Sequence, residues 1–285
     1  MNILVLTKVS IPATGQTIPE WHSLVELGHT YTTADHLAES DNKPDAIVAM
    51  GVGVMDVTYE ALHRWPTVPL YCYHWDCYSW VWDRPRIGEY DYRRYGHLLS
   101  HAREVWVPSA CTARQTKQWW NLESHVILSS CPWWDRPTTD LGYALCTLRK
   151  VPDLWCDEFE SACADIGIPF IRSDHALSYE DYKQTVANCR FIVSHYEEAS
   201  TGGLTLLEGY RLGKPCLLND SELNGGRDYL QDRAFYFRSG DATNFRDVMQ
   251  QMYYAPQPVA PDCREWVEST YNSRRVVESI MERMS

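Results

Sequence analysis

The stretch Cys189–Asn219, CRFIVSHYEEASTGGLTLLEGYRLGKPCLLN, sets how the rest of the chain is read. It opens on a short apolar run with β-branched content, Cys189 to Ser194, which predicts a buried strand. Leu204, Leu207, Tyr210 and Leu212 then recur at roughly helical spacing until Gly213 stops the pattern. Between strand and helix lie two carboxylates, Glu197 and Glu198, and the turn Ser200–Thr201–Gly202–Gly203. A helix starting at such a turn points its unpaired N–H groups and positive dipole end into a loop that a ligand can approach closely, which suits an anion. An ordinary N-cap, with glycines that only ease the turn, fits the same residues.

The flanking sequence repeats this alternation. Short apolar runs predict strands at 2–7, 29–33, 45–50, 68–73 and 104–107, and Ile18, Trp21, Leu24, Val25 and Leu27 form a helical stripe ending at Gly28. The Pro-, Ser- and Thr-rich segment SSCPWWDRPTTD, 129–140, breaks the rhythm and reads as a linker. Beyond it come strands at 143–148, 169–172, 189–194, 216–218 and 235–237, with helices over 156–166 and 179–187. The run REWVESTYNSRRVVESIMERM is an amphipathic helical region able to pack on either half.

Strands alternating with helices specify an α/β fold with parallel sheets wound on both faces. Two Rossmann-like domains are expected, 1–135 and 136–262, followed by a helical region, 263–285, that packs back on the first domain. Ligands in such sheets bind outside the carboxyl ends of the strands, and two domains facing each other make a cleft. The loop carrying Gly15, the segment after the strand ending at Tyr73, the pair Arg149–Lys150 and the Cys189–Asn219 stretch all fall at strand ends.

Composition narrows the partners. A formal net charge of -12 argues against broad, charge-driven binding to nucleic acid or anionic membrane. The first residues, MNILVLT, read as a strand without a basic leader, and no stretch approaches the length of a membrane span. The ten cysteines therefore read as reduced thiols of a cytoplasmic protein. Cys72, His74, Asp76 and Cys77 match no zinc spacing, so no metal site is expected.

The order of these segments resembles nucleotide-sugar glycosyltransferases of the two-Rossmann-domain (GT-B) type, notably retaining family 4. MNILVLT with a Gly-containing loop and LVELGHTYTT is similar to the family's start. VPLYCYHWD is similar to its strand ending in a His, EVWVPSACTARQTKQW to the segment before its linker, and GGLTLLEGYRLGKPCL with NDSELNGGRDYL to its donor-site helix and the segment beyond that helix. The short chain is similar in length to virus-encoded members, some of which decorate hydroxymethylated DNA. The resemblance implies an acceptor-side first domain and a donor-binding second domain. It also implies a retaining, metal-independent hexosyl transfer from a UDP- or GDP-sugar type donor, without a cofactor. The acceptor stays open between glycan, metabolite and modified DNA base, the last disfavoured by the net charge. A nucleotide- or sugar-binding module without turnover and a sugar-nucleotide epimerase are the alternatives.

The resemblance also assigns roles. His74 contacts the donor sugar, and Arg149 and Lys150 stabilise the leaving diphosphate. Gly15, Thr201, Gly202, Gly203 and Leu204 bind the donor. Glu208 corresponds to the family's second glutamate, a ribose contact. The first glutamate would fall at Ser200, so Glu198, or its neighbour Glu197, is expected to take its place. Arg149 and Lys150 are adjacent, whereas the family usually spaces them apart.

Overall fold

The computed structural model of the chain describes residues 1–7, 27–34, 36–37, 42–74, 92–131, 134–146, 153–172, 177–194, 204–255 and 259–285. They divide into two compact units, Met1–Ser130 with Ser273–Ser285, and Cys131–Asn272. The division falls inside the segment read as a linker.

The first unit is built on β1 (Asn2–Leu6), β2 (Thr30–Ala34), β3 (Ala46–Met50), β4 (Leu70–Tyr73), β5 (Glu104–Val107) and β6 (His125–Val126), in the order β2-β1-β3-β4-β5-β6. Every pairing is parallel. Side chains alternate between two buried faces. Leu4, Leu6, Ile47 and Ala49 pack with Met55, Ala61, Tyr95 and Leu98 of helices Met55–Arg64 and Tyr92–His101. Ile3, Val5, Val48 and Trp106 pack with Val276, Val277, Ile280 and Met284 of helix Ser273–Met284. Burial on both faces is why these strands read as unbroken apolar runs. β6, two residues long, carries too little pattern to be read from sequence.

The second unit holds β7 (Ala144–Cys146), β8 (Phe170–Arg172), β9 (Phe191–Ser194), β10 (Cys216–Asn219) and β11 (Phe235–Phe237), in the order β11-β10-β9-β7-β8, again all parallel. One face packs Ala144, Phe191, Val193 and Leu217 against Phe159, Cys163, Phe245 and Met249 of helices Asp153–Asp165 and Ala242–Tyr254. On the other, helix Leu204–Arg211 buries Leu206 and Leu207 and comes so close that a Cβ on Gly209 would stand 2.0 Å from Ile192 Cδ1.

The C-terminal helical region therefore divides. Helix Cys263–Thr270 lies in the second unit, while helix Ser273–Met284 returns to the first unit's sheet, the packing expected of it. The cysteines whose side chains are described are buried, and none is bridged. No helix among the described residues is long and apolar enough to cross a membrane.

Candidate functional site

In the second sheet the strand order reverses between β7 and β9. From β7 the chain passes to β8 on one side, while β9, β10 and β11 lie on the other. The carboxyl ends of β7 and β9 stand side by side, with Cys146 opposite Val193. Such a reversal is where open α/β sheets take ligands. The chain continues from these two ends into 147–152, which contain Arg149 and Lys150, and into 195–203, which contain Glu198, Thr201, Gly202 and Gly203. Those residues, and Gly15 after β1, lie outside the described ones.

Leu204 opens helix Leu204–Arg211 and is 37% exposed, whereas Glu208, one turn on, is 4% exposed. The Glu208 carboxylate accepts the indole N–H of Trp134 at 2.9 Å on Oε1 and the hydroxyl of Tyr182 at 2.5 Å on Oε2. The same hydroxyl lies 2.6 Å from Thr205 Oγ1. A buried carboxylate needs such donors, because desolvation without them is costly.

Arg211, three residues further on and buried, grips the same region. Its Nη1 donates to the Trp134 carbonyl at 2.9 Å and to Asp135 at 3.3 Å, and its Nε donates to Glu268 at 2.8 Å. Arg264 reaches Asp135 at 2.6 Å. The Arg211 charge, and then the Arg264 hydrogen bond, hold the Asp135 carboxyl below the usual carboxylate range.

A buried amide pair braces the strand ends. Asn224 Nδ2 donates to Asn219 Oδ1 at 2.7 Å and to the Ser194 carbonyl at 3.4 Å, while its Oδ1 accepts Gly226 N–H at 2.9 Å. Asn219 Nδ2 donates to Ser239 Oγ at 2.9 Å. Trp134, Tyr182, Arg211, Asn219 and Asn224 were not read from sequence as site residues. Trp134 and Tyr182 are 74 and 26 positions from Glu208, a separation without local periodicity. For the amide pair the available signal was the polar turn NDSELNGG after a strand.

His74 follows β4 in the first unit and is fully buried. Its Nδ1 lies 3.2 Å from Tyr95 Oη, and the edge of its ring meets Trp120 with centroids 5.3 Å apart. Nε2 is buried and has no hydrogen-bond partner among the described residues. Burial lowers the imidazole from its ordinary 6.5 to about 3, so the ring is neutral. A folded-state value below the unfolded one means that the folded chain binds fewer protons. The stability contribution is therefore whole above pH 6.5 and is lost as pH falls toward 3. Within that window wild type is expected to lose about 1.4 kcal/mol more per pH unit than His74→Gln, read from urea midpoints. Parallel slopes for the two proteins would mean that His74 protonates freely in the fold.

Among the described residues no group of three or more His, Cys, Asp or Glu side chains is arranged to hold a metal ion. The fold is that of the two-Rossmann (GT-B) glycosyltransferases. HepE from Anabaena, solved in complex with UDP and glucose, superposes with a TM-score of 0.66 at 12% identity, over 100% of this chain and 99% of that one. Sucrose-phosphate synthase from Thermosynechococcus elongatus gives 0.67 at 9% identity, over 99% and 98%. AviGT4, a glycosyltransferase involved in avilamycin A biosynthesis, gives 0.62 at 11%, over 99% and 96%. No family model matches the sequence, and no curated protein matches it.

Proposed function

We propose that the chain is a glycosyltransferase that moves a sugar from a nucleoside-diphosphate sugar to an acceptor, with retention at the anomeric carbon and without a metal. The observation that carries this is the reversal of strand order between β7 and β9, whose adjacent carboxyl ends lead into the Arg149–Lys150 and Glu198–Gly203 segments. Further support comes from the neighbouring fold of HepE, which was also solved with UDP-glucose.

In this chemistry the bond from the anomeric carbon to the phosphate oxygen breaks, and charge develops on the leaving diphosphate. Arg149, Lys150 and the amides of Gly202, Gly203 and Leu204 stabilise that charge, together with Thr201 of the same stretch of sequence. Glu208 accepts the ribose hydroxyls, and Glu198 serves the transferred sugar. Gly15, on the first unit, allows close backbone approach.

Purified protein incubated with UDP- and GDP-sugars is expected to release the nucleoside diphosphate of one donor, at a rate unchanged by a chelator. With the acceptor found, the product keeps the donor's anomeric configuration by NMR. Loss of release with chelator, restored by manganese or magnesium, would sink the metal-free mechanism. Ser200 at the place of the family's first glutamate favours a second reading, a binding module without turnover. Tight donor binding with no release would establish that one instead.

A further inference from the structure

We propose that Trp134 and Tyr182 are positioning residues for Glu208, and that through Trp134 the segment entering the second unit takes part in donor binding. This rests on Glu208 as the ribose contact of the proposed function.

The geometry joins three points. Trp134 is held twice by one helix: its carbonyl accepts from Arg211 at 2.9 Å, and its indole N–H donates to Glu208 at 2.9 Å. Residues 208 and 211 are neighbours on one helix face, three positions apart, so a single linker residue spans both side chains. Arg211 is itself fixed by Glu268 at 2.8 Å, and Asp135 is shared with Arg264 at 2.6 Å. Tyr182 donates to the second oxygen of Glu208.

Each Glu208 oxygen thus has its own donor, which fixes the plane of the carboxylate. A pair of ribose hydroxyls is a rigid donor set and gains most from an acceptor whose rotamer is set beforehand, because less side-chain entropy is lost on binding.

The test is a cycle of protein variant against nucleotide. Trp134→Phe keeps an aromatic ring and removes the N–H; Tyr182→Phe removes the hydroxyl alone. Each is expected to weaken UDP (or GDP, whichever wild type binds) about tenfold by calorimetry, and to raise the donor KM by a similar factor with kcat within about twofold. Against the corresponding 2′,3′-dideoxynucleotide the same variants are expected to bind like wild type, because the hydroxyls that Glu208 receives are gone. Equal losses for both nucleotides, or no loss for either, would overturn the positioning role. Tyr182→Phe carries the cycle by itself if Trp134→Phe does not fold. The underlying reading fails separately: Glu208→Gln binding UDP as wild type does, or wild type binding neither UDP nor GDP, removes Glu208 as the ribose contact.

Discussion

Replacing Arg149 and Lys150 together with alanine is expected to lower sugar transfer about a thousandfold while leaving the thermal midpoint within a degree or so of wild type. They are the third and fourth residues after Cys146, the last residue of β7. On a nucleotide-sugar the leaving diphosphate carries most of the developing charge. A fixed cation facing that charge in a water-poor site is worth roughly 3 kcal/mol of transition-state stabilisation, about a hundredfold in rate. Two cations acting on one diphosphate overlap in effect, so the double variant loses less than the product of the single losses. A merely solvated basic pair gives the opposite result, with turnover within about twofold of wild type in the double variant.

Gly96→Ala is expected to destabilise the first unit by about 1–2 kcal/mol, the overpacking cost less the helix gain, seen as a lower urea midpoint with an unchanged slope. Gly96 lies within helix Tyr92–His101, where alanine in an open environment would stabilise by about 1 kcal/mol. A Cβ there, however, would stand 2.1 Å from Trp120 Cδ1 and 2.5 Å from its Nε1. The indole is a poor candidate for moving aside. It donates to the Tyr92 carbonyl at 3.2 Å and packs against Tyr92, Tyr95 and His74 with centroids 5.1, 5.8 and 5.3 Å apart. The two effects differ in sign, so the experiment decides between them. A Gly96→Ala protein more stable than wild type would mean that the indole yields without cost.

Legibility in the sequence depends on which forces act locally. Ile3–Leu6, Ala46–Met50 and Phe191–Ser194 are buried on both faces, and a continuous apolar run is the direct imprint of that. Helix Leu204–Arg211 announced itself by the spacing of its leucines. Glu208 was legible as a site residue only through resemblance, and its burial between Trp134 and Tyr182 was not legible at all, since both partners arrive from distant segments. The segment around Trp134 looked like a spacer because Pro, Ser and Thr dominate it. In the fold Cys131 N–H donates to the Tyr271 carbonyl at 3.0 Å, and Arg211 holds the Trp134 carbonyl, so backbone contacts tie it to the second unit irrespective of its side-chain composition. His74 was read at the end of its strand as a cleft residue; its complete burial depends on Tyr95 and Trp120, carried by two later helices.

Helix Ser273–Met284 closes one face of the sheet whose strands come from the first half of the chain. On the ribosome that sheet emerges early, whereas Val276, Val277, Ile280 and Met284, which pack on Ile3, Val5 and Val48, are made only after residues 131–272. At the usual pace of synthesis, residues 131–272 occupy roughly ten seconds or more. The second unit, contiguous in sequence, has all its parts before then. The described packing of the first unit is thus completed only after the whole of the second unit has been synthesised.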